Sequence, residues 1–150
     1  MKKIFKIIII CLFSLSAYTK VEGKTEITTE DGIEVFQNEK YYLLKKNVKI
    51  DSDNFILNAD NVRINFKDNL NDITELDAKG KVKFNSSEFK MKGSGGSLKF
   101  IVKSEKLEIE GRNSELITQD IQMYSNGLIK VNNLSGDFLL FGENSKLINE

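Results

Sequence analysis

The sequence predicts an all-β domain of stacked antiparallel strands. Apolar and polar residues alternate at period two in run after run. Clusters of turn-forming residues separate the runs at intervals of about eight to twelve residues. The sequence also matches itself at a shift of 34 residues. No segment keeps a 3.6-residue apolar period over three turns, so a helical alternative has no support.

Residues 1–23 read as an address rather than part of the fold. Lys2, Lys3 and Lys6 precede the apolar run Ile7–Phe13, which grades into Ser14-Leu15-Ser16-Ala17. That is the layout of a secretory signal peptide. The run from Ile7 to Ala17 is about half of the roughly 20 residues a membrane-spanning helix needs, so a cleaved signal is expected over an anchor. Cleavage after Gly23 fits the residues a signal peptidase reads, with Ala17 as the alternative. Cys11 lacks the small residues that precede a lipidated cysteine and is expected to be lost with the signal. Residues 24–150 then form one domain.

Within that domain the strands follow in order. Val48-Lys49-Ile50, Phe55–Ala59 and Val62–Phe66 alternate cleanly. So do Val82-Lys83-Phe84, Phe89-Lys90-Met91, Leu98–Val102, Leu107-Glu108-Ile109, Ile121-Gln122-Met123 and Leu128–Val131. Successive side chains on a strand point to opposite faces, so each run buries one face and wets the other. Turns are expected at 51–54, 67–69, 85–87, 93–96, 126–127 and 135–137.

The repeat pairs Val48 with Val82, Ile50 with Phe84, Phe55 with Phe89 and Leu57 with Met91. It continues with Ala59 and Gly93, Ile64 and Leu98, and Phe66 and Phe100. A weaker third copy sets Asp120–Gly127 against Glu88–Gly95 at a shift of 32, and a Leu-x-x-x-Gly frame recurs at Leu76 and Leu107. Such units bury their apolar faces only by stacking. The expected object is an elongated roll with apolar residues inside, polar residues outside and unpaired strand edges at its ends.

Composition removes most chemistry. The 150-residue chain has no His, Trp or Pro, one Cys, and equal numbers of basic and acidic residues. His-dependent triads, His/Cys zinc sites and an intrachain disulfide are excluded. Without residues 1–23 the chain keeps 18 basic and 21 acidic residues, a net charge of about −3. A nucleic-acid partner is not expected. A cysteine-free exported domain fits a bacterial periplasm. The carboxylate pairs Asp51/Asp53, Glu108/Glu110 and Glu30/Asp31 read as turn formers or wet-face residues, so no catalytic residue, metal ligand or cofactor is assigned. The glycine run Gly93-Ser94-Gly95-Gly96 precedes a strand instead of a helix, so it reads as a tight turn and not as a phosphate loop. Lys45, Lys46, Lys49, Lys79, Lys81, Lys83, Lys90 and Lys92 are a solvated face or, alternatively, the rim of an opening that meets phosphates. The apolar stripe is the stronger candidate site. It comprises Val48, Ile50, Phe55, Leu57, Ile64 and Phe66, then Val82, Phe84, Phe89, Met91, Leu98 and Phe100. A closed core and an open roll that admits an acyl chain both fit it.

Asp31–Val35, Tyr41–Ile50 and Phe55–Val62 resemble the OstA-like family of LptA-type lipopolysaccharide-transport proteins. Asn47-Val48, Leu57-Asn58-Ala59-Asp60-Asn61-Val62 and Ala78-Lys79-Gly80-Lys81-Val82 occupy that family's motif slots in order. The resemblance covers roughly residues 27–110. Asn47 replaces an expected Gly, the alternation is lost around Asn113–Gln119, and the chain ends soon after Ile148, which suggests a short version with fewer strands. The resemblance implies an open β-jellyroll in the periplasm, with no enzymatic activity, metal or cofactor. It would bind the lipid A part of lipopolysaccharide along the twelve interior residues. It would join the jellyroll domains of inner- and outer-membrane components in outer-membrane biogenesis, and form head-to-tail homo-oligomers. An LptC-like anchored component and a lipid-free structural β-repeat module are the competing readings.

Overall fold

Phe89 and Phe100 stand eleven positions apart, the first in the turn just before one strand and the second near that strand's end, yet their ring centroids lie 5.7 Å apart. A straight strand would hold them about 36 Å apart at roughly 3.3 Å per residue. The strand therefore doubles back on itself, and the whole molecule is built from strands that do so.

A computed structural model describes residues 24–149; the expected signal peptide and Cys11 lie outside them. Among the described residues the regular structure is twelve strands. These are β1 (Glu26–Thr28), β2 (Ile33–Phe36), β3 (Tyr41–Ser52), β4 (Phe55–Phe66), β5 (Ile73–Ser86) and β6 (Met91–Ile101). They continue as β7 (Lys106–Glu110), β8 (Ser114–Ile117), β9 (Ile121–Ser125), β10 (Leu128–Asn132), β11 (Phe138–Phe141) and β12 (Lys146–Asn149). β3 to β6 are long and pair antiparallel in sequence. The short strands come in twos. β1 and β2 both pair with β3, while β7 and β8 both pair with β6. β10 and β9 continue from β7 and β8, and β11 and β12 end the series. Each two is one interrupted strand. The described fold is thus a meander of eight bent rungs: β1–β2, β3, β4, β5, β6, β7–β8, β9–β10 and β11–β12.

The bends form a spine that joins two layers, and the turns on the other side line a mouth between them. Layer one holds β2, β7, β10, β11 and residues 41–45, 61–66, 73–79 and 97–101 of the long strands. Layer two holds β1, β8, β9, β12 and residues 48–52, 55–58, 82–86 and 91–95. The sheet is antiparallel throughout and does not close, because the first and last rungs do not pair with each other.

The bend has a local cause. One extra residue enters β3 between the pairs Lys45↔Asn61 and Val48↔Ala59. Lys46 and Asn47 take it up with φ of 65° and 47°. Thirty-four positions on, Gly80 and Lys81 do the same with φ of 84° and 47°. Bulges of this kind sharpen a strand's turn and re-aim its side chains. Gly80 is required there, because a Cβ would overlap the Asp60 side chain in a conformation L residues rarely adopt. The 34-residue repeat is therefore a repeat of the bend.

A second repeat, missed in the alternation analysis, lies nearer the C-terminus. Gly111-Arg112-Asn113-Ser114-Glu115-Leu116-Ile117 matches Gly142-Glu143-Asn144-Ser145-Lys146-Leu147-Ile148 at a shift of 31. Gly111 and Gly142 have φ of 124° and 125°, and Asn113 and Asn144 both have 55°. The Ser114 hydroxyl donates to the Gly111 carbonyl at 2.7 Å, and Ser145 donates to Gly142 at 2.8 Å. This also corrects the expectation of lost alternation around Asn113–Gln119. β8 alternates, with Ser114 and Leu116 buried. The inward serine is spent on the bend, so hydropathy alone hid the pattern.

The glycine run is likewise corrected. Gly93-Ser94-Gly95-Gly96 lies inside β6, not in a turn. A Cβ on Gly93 would sit 2.6 Å from the Glu115 carbonyl oxygen, and one on Gly95 would sit 2.5 Å from the Ile109 side chain. The missing side chains let layer one press Ile109 against the backbone of layer two.

Candidate functional site

The inner faces of the two layers form one apolar surface. Register fixes which side chains point in. Leu44 pairs with Val62, Ile50 with Leu57, Ala78 with Leu98, and Ile109 with both Leu98 and Ile129. Of the twelve residues singled out from the sequence, Val48, Ile50, Leu57, Ile64, Phe66, Val82, Phe84, Met91 and Leu98 are buried in this cluster. Phe55, Phe89 and Phe100 are partly buried and packed on it. The sequence analysis missed Leu44, Leu76, Leu116, Met123 and Ile129 as members. Leu116 and Met123 follow from the second repeat and the third copy; Leu44 sits beside Lys45-Lys46, where the bulge breaks the period.

The lips of the mouth are built by the same device three times. On layer two, Ser52, Ser86 and Thr118 each stand three residues before Phe55, Phe89 and Ile121. Ser52 Oγ donates to the Phe55 carbonyl at 3.1 Å, and the Phe89 amide donates to Ser86 Oγ at 3.1 Å. The Ile121 amide donates to Thr118 Oγ1, also at 3.1 Å. A hydroxyl closes each turn and holds the apolar residue at the rim. On layer one the facing residues at the ends of the same rungs are Phe66, Phe100 and Val131. Where those residues are aromatic, rings fill the interior: Tyr42 with Phe66 at 5.7 Å and Phe55 with Phe84 at 6.2 Å, besides Phe89 with Phe100. Where Ile121 and Val131 replace them, a cavity of about 260 Å³ opens, lined by Phe89, Met91, Ile121, Met123, Val131 and Phe138 together with polar residues that include Lys90, Asp120 and Asn133.

The ends of the roll differ from its middle. On the first rung, Ile33 and Val35 pair with Leu44 and Tyr42 and so face inward, yet they are exposed. On the last rung, inward-facing Phe138 and Leu147 are exposed, and outward-facing Leu139 and Phe141 are 50% and 66% exposed. The apolar lining thus runs out to both edges.

Polar groups play supporting parts. Every buried side-chain nitrogen or oxygen among the described residues has a hydrogen-bond partner. The Tyr42 hydroxyl donates to the Leu70 carbonyl at 2.7 Å and ties the 67–72 loop to layer one. Burial pushes its pKa up from the ordinary tyrosine value. Lys45 bonds Glu34 at 2.7 Å, which raises the pKa of its ammonium. Three of the six carboxylates weighed as acid/base candidates stand in ion pairs with lysines: Glu30 with Lys46, Asp51 with Lys49 and Glu108 with Lys130. No group of three or more His, Cys, Asp or Glu among the described residues is placed to hold a metal. Lys79, Lys81, Lys83 and Lys92 are exposed, and Lys90 stands at the rim of the cavity.

Residues 26–136 match the family model described as LptA/(LptD N-terminal domain) LPS transport protein. The chain belongs to this family. Its role is accordingly in lipopolysaccharide transport, and the resemblance read from the motifs holds. A similar solved structure is LptH from Pseudomonas aeruginosa, the LptA-homologous periplasmic component of the lipopolysaccharide transport device in that organism. The likeness has a TM-score of 0.68 over 85% of this chain and 95% of that one. At 8% identity it speaks to the fold alone, the open LptA-type jellyroll. No curated protein sequence matches this chain. Among the described residues, no helix is long and apolar enough to cross a membrane.

Proposed function

We propose that the protein is a non-enzymatic periplasmic carrier that shelters the lipid A acyl chains of lipopolysaccharide inside the roll while the sugars stay wet outside the mouth. One observation carries this reading. The inner apolar face is continuous along eight rungs and is left uncovered, with free strand edges, at both ends. Removing acyl chains from water is worth roughly 0.8 kcal/mol per CH₂, which makes such a lining a favourable path. The directional drive has to come from partners, since nothing in the site offers chemistry of its own. The twelve inner residues from Val48 to Phe100 are the proposed contacts.

The ends suit the jellyroll domains of inner- and outer-membrane transport components, or further copies of this chain. The last rung runs from layer one to layer two and the first from layer two to layer one. Placing a second molecule's β2 beside β11, and its β1 beside β12, continues the antiparallel alternation. Residues 1–23 direct export and are removed in this reading. N-terminal sequencing of the exported protein distinguishes it from an anchored, LptC-like component.

The test is to purify the protein from its native envelope and identify co-purified lipid by mass spectrometry. Lipid A species support the carrier. A lipid-free protein supports the second reading, a structural β-repeat module, which the close packing of Leu57, Ala78, Ile109, Leu116 and Ile129 favours.

A further inference from the structure

We propose that Phe89 and Phe100 form a clasp across the mouth, and that an acyl chain seated in the adjoining cavity must part it to move along the roll. The inference rests on the carrier reading and names the residues that control passage in it. Three observations support it. First, the two rings belong to opposite lips, because Phe89 lies in the turn that leads into the doubled-back β6 and Phe100 lies near its far end, and they meet at 5.7 Å. Second, the neighbouring aromatics do not bridge the lips: Phe55 pairs with Phe84 inside layer two, and Phe66 pairs with Tyr42 inside layer one. The bridged position is therefore the fifth rung. Third, the lip pair Ile121 and Val131, two rungs further on, leaves the cavity of about 260 Å³ directly beside Phe89. That volume is smaller than the site of a whole drug-sized ligand and suits part of an apolar chain.

The consequence follows from the cargo's shape. An amphiphile with chains inside and a polar head outside crosses the mouth at every position it occupies. A ring contact across the mouth stands in the way of that junction. Phe89 lies in the turn between β5 and β6, where its amide donates to Ser86 Oγ and the Ser87 amide donates to the Asn54 carbonyl, so the lip that has to move is a turn and not the middle of a strand.

The experiment uses the full chain exported with its own N-terminus, carrying Cys11→Ser so that introduced thiols stand alone. Phe89→Cys and Phe100→Cys are combined and bridged, in folded protein, with a short bis-maleimide containing a cleavable disulfide. The protein is loaded with purified lipid A, and the rate at which lipid A passes to unloaded protein is measured before bridging, after bridging and after reduction. At least a tenfold slowing on bridging, restored by reduction, is expected. Equal rates in the bridged and open states overturn the clasp and leave the carrier reading standing. No lipid A bound by the unbridged protein overturns both. As an independent measurement, Phe89→Ala is expected to speed lipid A exchange between protein molecules several-fold; an unchanged exchange rate overturns the clasp.

Discussion

The second to fifth rungs and the sixth to eighth rungs are built on the same plan but to different finish. The former are continuous strands of 11 to 14 residues, and two of them, β4 and β6, have phenylalanine at both lips. The latter are strands of four or five residues, interrupted at Gly111–Asn113, Asn126-Gly127 and Gly142–Asn144. They carry the cavity at the mouth and the most exposed apolar side chains, Phe141 and Leu134. A long strand through the bend locks the two layers together, whereas an interrupted one lets them adjust. The N-terminal part acts as the scaffold, and the C-terminal part has the features of a surface that receives something.

That contrast can be broken in order of effect. Leu57→Ala removes a fully buried side chain of the scaffold and should cost about 2–5 kcal/mol in denaturant unfolding. Leu147→Ala, an exposed inward residue of the last rung, should stay within about 0.5 kcal/mol. Similar costs for the two would erase the distinction. Gly93→Ala tests the close approach of the layers. Its Cβ meets a backbone oxygen that has little freedom to move, so a loss of about 1–3 kcal/mol is expected.

Tyr42→Phe breaks the bond to the Leu70 carbonyl and should cost about 0.5–1.5 kcal/mol at neutral pH. It carries a pH signature as well. Burial favours the neutral phenol in the folded state, so the folded pKa lies above the unfolded value of 10.0. That stabilisation is complete below pH 10 and is lost as the pH rises through the folded pKa. The parent protein should therefore lose stability above pH 10 more steeply than Tyr42→Phe; parallel profiles would refute it. The smallest effect on stability is expected from Leu139→Asn with Phe141→Asn, within about 0.5 kcal/mol. Concentration-dependent association, measured by analytical ultracentrifugation, should nevertheless weaken if the last rung joins a neighbour.

Much of this contrast can be read in the sequence, and the exceptions have physical causes. Period-two alternation located the inner residues of the long rungs because those strands bury one face. The 34-residue shift matched the long rungs to one another but did not reveal the bends it repeats, because their left-handed residues are Lys46, Asn47 and Lys81 as well as Gly80. The glycine run was misjudged because glycine serves close packing as readily as turns, and only the position of Ile109 decides between them. The C-terminal rungs were harder to read because Ser114 and Ser125 occupy inward positions and spend their hydroxyls on backbone groups. Doubling of the strands was invisible, since alternation is the same for a straight strand and a bent one.

The central claim is that lipopolysaccharide travels inside the roll and not over its surface. Photocrosslinking residues placed singly at Phe89, inside the mouth, and at Lys83, on the outer face of the same layer, test it in the native envelope. Capture of lipopolysaccharide at position 89 and none at 83 is the expected result. Capture at 83 with none at 89 would contradict the account.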